Sequence, residues 1–375
     1  MLNHTKLAAA LHALSDELFA DSAREREMLR QVWERLTSDT TLMYQVRNAS
    51  APWPVPTWQG AIDAVYDIQP YTDPYCAVSV DGSQIYPDRH QAVACYLINI
   101  GAVVFPYGIS DSVVLQSDPH IFQGRDTLFD HATSTDMVNA KRQELELQAG
   151  LAWLKQVKER ANEAPALLLF DGSLIFWHLS AHEETVRQQL LVRYLTIISE
   201  LYIHDSLCAW YISMPKSKEL INVVRLFLCD FIPERKELYE FTDQFVDASI
   251  AYFYLQPRQR STVFQNHAPV SAEYPAPMHP HFFYIHVGDE IGRVEIPAWI
   301  AQDEAKVDLV AQMVLDQCVK GQGYPIVLAE AHEQAVVKGA DRDLFYHLIQ
   351  KIGLQHNSRR PVISKKSFRK QKASF

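Results

Sequence analysis

The run Ala166–Phe170, ALLLF, followed at once by Asp171-Gly172-Ser173, constrains this chain more than any other stretch. Five apolar residues with no polar alternation, closed by a turn signal, are too short for a helix and fit a strand buried on both faces. Such a strand needs helices on both sides of its sheet, which selects an α/β architecture. The neighbouring sequence supplies them. Helical periodicity covers 136–160 before the run and 182–203 after it, and a second buried strand, CAWYIS (208–213), comes next.

Upstream, CAVSV leads into Asp81-Gly82-Ser83, and AVACYLINIGAVVF (92–105) reads as two strands split at Gly101. These predict a meander of neighbouring strands. Downstream, 217–230 reads as a helix and 245–300 as short strands among Pro-rich loops. An amphipathic helix follows at 303–320, then PIVLAEAH (325–332) as a strand running into a turn, then a closing helix at 333–351. The expected fold is α/β, a mixed sheet with helices on its faces. It carries an N-terminal helical extension over 1–50, in which Leu7, Leu11, Leu14 and Leu18, then Met28, Leu29, Val32 and Leu36, recur at helical spacing. The Pro/Trp-rich stretch 51–74, with APWPVPTW at its start, reads as a linker. The main domain is then 75–351, and 352–375 is a basic tail.

Charge limits the partners. The chain carries a formal −10, yet the tail from Arg359 holds seven Lys/Arg and no acid, leaving about −17 on the rest. A body this acidic cannot hold nucleic acid by a broad basic face; it needs divalent cations, a local groove or the tail. Five scattered cysteines without CxxC spacing argue against a disulfide framework or a thiolate zinc site and fit a reducing cytoplasm. No apolar stretch reaches 18 residues and the N-terminus lacks a signal-peptide pattern, so no membrane segment is expected.

The two Asp-Gly-Ser elements carry the chemistry. Asp-Gly after a strand is first of all a turn signal. Here the arrangement occurs twice, each time after a buried strand, so Asp81 and Asp171 can converge if their strands are neighbours. Two aspartates fixed on strands are the anchor of a divalent-cation site. Between them lies a helix with Glu144 and Glu146; small Ala149 and Gly150, one turn beyond Glu146, favour it as the ligand, with Glu144 as the fallback. His332, read as following a strand, takes the same placement as the aspartates, and Glu330 would share its side of that strand.

In order, these elements resemble the NurA nucleases. They are strand-Asp-Gly-Ser, Arg142 to Glu146, the second Asp-Gly-Ser, Lys216-Ser217, Arg260-Ser261, and Tyr324-Pro325 with Ala331-His332. The resemblance covers about 75–350; the Pro-rich stretch 268–281 and the tail have no counterpart in it. It implies an RNase H-like sheet and a homodimer. It also implies 5′→3′ DNA exonuclease and single-strand endonuclease activity with Mn²⁺ (two ions, Mg²⁺ as a substitute), and work with a HerA-type hexameric ATPase in DNA end resection. Asp81, Glu146, Asp171 and His332 would be the catalytic metal ligands, and Lys216 and Arg260 the substrate contacts. Two other classes compete. A nuclease-like subunit would bind DNA or the ATPase without cutting, and a phosphatase with an Asp nucleophile would want an acid where Ser83 stands.

Overall fold

The computed structural model describes residues 2–15, 23–87, 95–123, 134–160 and 164–355; Leu18 and the tail from Arg359 lie outside them. Eleven strands form one sheet. They are β1 (Thr57–Trp58), β2 (Val65–Asp67), β3 (Tyr75–Ile85), β4 (Cys95–Tyr107), β5 (Val114–Gln123), β6 (Ala166–Asp171), β7 (Leu207–Ile212), β8 (Gln259–Ser261), β9 (Phe264–Gln265), β10 (Pro280–His286) and β11 (Ile291–Pro297). The order is β1-β9-β10-β11-β7-β6-β3-β4-β5, with β8 bridging β10 and β2. β3, β4 and β5 make the expected antiparallel meander. β6 and β7 add parallel to β3. This order, β5-β4-β3-β6-β7 with the middle strand of the meander antiparallel, is the RNase H-like core. β6 lies inside the sheet between β3 and β7, and Leu167, Leu168 and Leu169 are fully buried, as an unalternated apolar strand requires.

Helices surround the sheet: α1 (His4–Ala13), α2 (Ala23–Thr37), α3 (Leu42–Asn48), α4 (Thr135–Arg160), α5 (Glu184–Ile203), α6 (Glu219–Leu228), α7 (Asp247–Tyr254), α8 (Glu304–Lys320), α9 (Ile326–Ala335) and α10 (Gly339–Gln355). α4 and α5 are the crossovers that the parallel pairs β3–β6 and β6–β7 demand. α1 buries none of its residues. α2 packs Leu29, Val32, Trp33 and Leu36 into a second core with Leu220, Val224 and Ile250 from α6 and α7. The segment expected to be a linker supplies β1 and β2 to the sheet, its Trp58 buried against Phe264. All five cysteines are free. No helix among the described residues is long and apolar enough to cross a membrane.

Three local expectations are corrected. Asp81-Gly82-Ser83 is not a turn, because β3 continues to Ile85 in unbroken register with β4. Gly101 does not split β4; it pairs with Asp81 in mid-strand. PIVLAEAH is not a strand but the start of α9. Pro325 caps that helix, and Val327, Leu328, Ala331 and Ala335 form its buried face. Glu330 and His332, two positions apart on a helix, therefore diverge by about 200° instead of sharing a side.

Gly101 explains why α9 can lie so close. A Cβ there would stand 2.4 Å from the Ala335 nitrogen and 2.5 Å from the Ala331 oxygen, both backbone atoms. Gly101→Ala is expected to cost about 3 kcal/mol, at the upper end of overpacking penalties, because backbone cannot rotate aside. Urea unfolding measures it, and an unchanged midpoint would mean that α9 does not rest on this glycine.

Candidate active site

β6 pairs with β3 only from Cys76 to Val80, so beyond Val80 the edge of β3 is open. Asp81 is the first residue in that opening, and Asp171 ends β6 beside it. The carboxylates are neighbours because one strand stops before the other, not because both strands turn. Gly82 comes next. A Cβ on it would lie 2.6 Å from Glu146 Oε1 and 2.6 Å from Arg142 Cγ. The bare backbone thus admits α4 onto the opening, and the Gly82 N–H donates to both Asp81 Oδ1 (2.7 Å) and Glu146.

Glu146 is 8% exposed. Burial pushes its carboxyl up to about 8; Arg142 opposes this, and the charges of Asp81 and Asp171 add to it. Arg142 Nε lies 3.3 Å from Glu146 Oε1 without the alignment of a hydrogen bond, so the cation beside Glu146 is poorly directed. Burial also raises Asp171, while the Tyr324 hydroxyl donates to it and lowers it, and the Asp81 charge raises it again. Glu144 is buried too, but it turns to Lys141 at 3.0 Å and Arg193 at 3.7 Å, away from the opening. Neither glutamate is solvated, and the one over the opening is Glu146.

His332 completes the group from the opposite face of the sheet. Its Nδ1 is 2.8 Å from Asp81 Oδ2, while the side chain remains 65% exposed. Two strands and two helices therefore converge on one opening. Among the described residues, no three His, Cys, Asp or Glu side chains are already placed together to hold a metal ion. The carboxylates are held by protein donors instead, chiefly His332, Tyr324 and the Gly82 amide.

The two expected substrate contacts fare differently. Lys216 is exposed on the loop after β7 and has no ion-pair or hydrogen-bond partner among the described residues. Because β7 is parallel to β6, this loop leaves the same end of the sheet as Asp171. Arg260 is elsewhere. Its strand β8 lies four strand positions from β6, roughly 19 Å away at about 4.8 Å per step. Its guanidinium is 2% exposed, bonds Asp308 at 2.5 Å and stacks on Tyr66 at 4.0 Å. It borders a separate open groove of about 490 Å³ with Arg47, Trp58 and His281. Arg260 thus lies away from the carboxylates, and its guanidinium is committed to Asp308 and the Ser261 carbonyl.

Sequence reasoning missed one further residue. The turn after Asp171 is anchored on β11, where Glu295 Oε2 accepts from Ser173 Oγ and the Leu174 amide, each at 2.8 Å. The signal was present: Arg293 and Glu295 are two opposite charges on one face of an otherwise apolar strand, a placement a buried strand accepts only when they are paired.

The sequence profile of the NurA domain matches residues 77–337. A search of curated proteins found no match. Among solved structures, the NurA nuclease from Sulfolobus solfataricus is 15% identical, covers 96% of this chain and 100% of its own, and superposes with a TM-score of 0.56. A NurA bound to dAMP and manganese is 13% identical over 94% of this chain and 98% of its own, with a TM-score of 0.41. At such identities the structural likeness concerns the fold; the profile, which spans well over half of the sequence, assigns the chain to the NurA family.

Proposed function

We propose that the chain is a divalent-metal-dependent DNA nuclease acting at the opening between β3 and β6. The observation that carries this reading is the cluster of Asp81, Asp171 and Glu146 beside a single cation, with Glu146 pushed up to about 8. A carboxylate cluster short of positive charge, with Glu146 buried, Asp81 half-buried and Asp171 exposed, fits a bound cation, and oxygen donors with one imidazole suit Mn²⁺ and, less well, Mg²⁺.

Asp81, Asp171, Glu146 and His332 would hold the metal, with room in such a donor set for two ions. A divalent cation there supplies Lewis acidity towards water and the scissile phosphate. The chain's own residues do the rest. Tyr324 fixes the Asp171 carboxylate through its hydroxyl. The Gly82 amide orients Asp81 from within the strand. His332, largely exposed, stands at the mouth, where substrate and solvent arrive. Lys216, uncommitted at the same end of the sheet, offers an ammonium to an incoming phosphate. Arg260 is not given that role.

The family resemblance supports the finer assignments. These are 5′→3′ digestion of DNA ends, endonuclease action on single strands, a homodimer, a cytoplasmic setting, and work with a HerA-type hexameric ATPase in end resection and repair. We assign the domain limits 75–351 on the same basis, with β1 and β2 added to its sheet.

The test is digestion of 5′- and 3′-end-labelled single- and double-stranded DNA with Mn²⁺, Mg²⁺ or EDTA. Manganese-dependent cleavage that removes the 5′ label first, and stops with EDTA, is expected. Cleavage indifferent to EDTA would overturn the metal reading. Binding of Mn²⁺ and DNA with no cleavage under any ion would make the chain a binding subunit instead.

A further inference from the structure

We propose that Glu295, locked by Arg293, is a positioning residue that sets the place of the Asp171 carboxylate from two strands away. The proposal rests on the reading of the opening as a metal-dependent nuclease centre. β11 is buried along its whole length, and both Glu295 and Arg293 are 2% exposed. Withdrawing two charges from water costs several kcal/mol each, and an apolar pair of the same volume is often no less stable. Packing alone therefore does not account for a pair in this position, whereas its contacts do.

The chain leaves Asp171 and crosses the end of β7, where the Gly172 amide donates to the Tyr211 oxygen at 2.9 Å. It lands on β11, where one oxygen of Glu295 accepts from Ser173 Oγ and from the Leu174 amide. The other oxygen accepts from Arg293 Nε at 2.8 Å. Arg293 cannot swing away. Its Nη2 donates to Glu219 Oε1 at 3.0 Å, its Nη1 to the Tyr284 hydroxyl at 3.2 Å, and its plane lies 3.7 Å over the Phe282 ring. Tyr284 is itself tied to Asp247 at 2.8 Å.

Both oxygens of the Glu295 carboxylate are thus used, and one member of the set is the backbone three residues after Asp171. The register of β6 fixes Asp171 from the chain before it, and Glu295 fixes it from the chain after it. Arg293 is shared between Glu295 and Glu219, and Glu295 reaches Asp171 through the turn that its bonds to Ser173 and Leu174 hold. Groups that orient a ligating residue in this way commonly change metal affinity or activity about 10- to 100-fold when altered.

Glu295→Gln removes one of the two acceptor ends and sets an amide donor against the Leu174 N–H. The expected result, by calorimetric titration of the whole chain with Mn²⁺, is a half-saturation point raised about tenfold. Cleavage should fall at low Mn²⁺ and recover at saturating Mn²⁺, with the KM for DNA unchanged. Amide hydrogen exchange at 172–174 should speed up in the metal-free protein. Ser173→Ala removes one bond and spares the fold; it should shift the Mn²⁺ titration in the same direction by a smaller factor. A purely structural role would lower the melting temperature and leave the metal titration and the Leu174 exchange rate at wild-type values. That result, in Glu295→Gln or, if it does not fold, in Ser173→Ala, overturns the proposal. Failure of the nuclease reading would show separately, as wild-type protein that binds no Mn²⁺ and cuts no DNA. The exchange rates would then still decide whether Glu295 holds the turn.

Discussion

Asp171→Asn is expected to abolish metal-dependent cleavage, by on the order of a thousandfold or more, without loosening the fold. Losing an anionic ligand forfeits several kcal/mol of the charge stabilisation a metal brings to a phosphoryl transition state, and each 1.4 kcal/mol or so is tenfold in rate. The amide is isosteric and can still accept from the Tyr324 hydroxyl, so the geometry around it survives. The same change removes one of the two negative charges, Asp81 and Asp171, that push the Glu146 carboxyl up. The metal-free variant should therefore melt no lower than wild type, and higher if repulsion between Asp171 and Asp81 dominates. Added Mn²⁺ should raise the wild-type melting temperature, as any ligand of the native state does, and should leave the variant unmoved. Asp81→Ala is expected to lose as much activity, but it also cuts the bond to His332, so its stability is less clean to interpret. Wild-type rates in either variant would remove the opening from the reaction.

Glu146→Gln should change the pH dependence of stability more than any other substitution at the site. In the metal-free wild type the carboxyl sits at about 8 when folded, against 4.5 as its ordinary value. Between those values the folded protein binds more protons than the unfolded one, so unfolding becomes easier as pH rises. The stability this group contributes is whole below pH 4.5, declines from there, and is gone above pH 8. Its span is on the order of 5 kcal/mol, since a tenfold difference in proton affinity between the folded and unfolded chain is worth about 1.4 kcal/mol. Glutamine does not titrate, so the variant should match wild type near pH 4.5 and exceed it at pH 8, less whatever the loss of the Arg142 contact costs. Denaturant unfolding at both pH values in EDTA provides the comparison, and equal slopes for the two proteins would count against the buried acid. The variant should also lose cleavage by at least about a hundredfold. In wild type, Mn²⁺ uptake at about pH 7 should release a proton that the variant does not.

The parts of this site visible in the sequence were those fixed locally. ALLLF and its closing Asp171 were legible because a strand buried on both faces has a composition of its own. Glu146 was legible through its small neighbours, since Gly150 does let α4 press against Phe170. Asp81 and His332 were chosen for reasons the structure corrects. Asp81 lies in mid-strand and is left unpaired towards β6 by where β6 stops, a fact of register that no local pattern records. His332 lies on a helix whose apolar, β-branched start imitates a strand; periodicity alone does not separate the two in so short a run. Arg260 stands apart from the carboxylates because a motif's order along the chain carries no information about which strand it pairs with. Glu295 went unseen because its partners come from 121 and 122 residues away.

The bond between His332 and Asp81 spans 251 positions of sequence, and that separation has a consequence in time. During synthesis all three carboxylates leave the ribosome long before the imidazole has been made. Until α9 exists, the strand surface at Gly101 that it covers is also bare. A nascent or truncated chain ending before α9 thus lacks both the last donor and the helix that seats it. The cluster is completed only after every strand of the sheet among the described residues has been made.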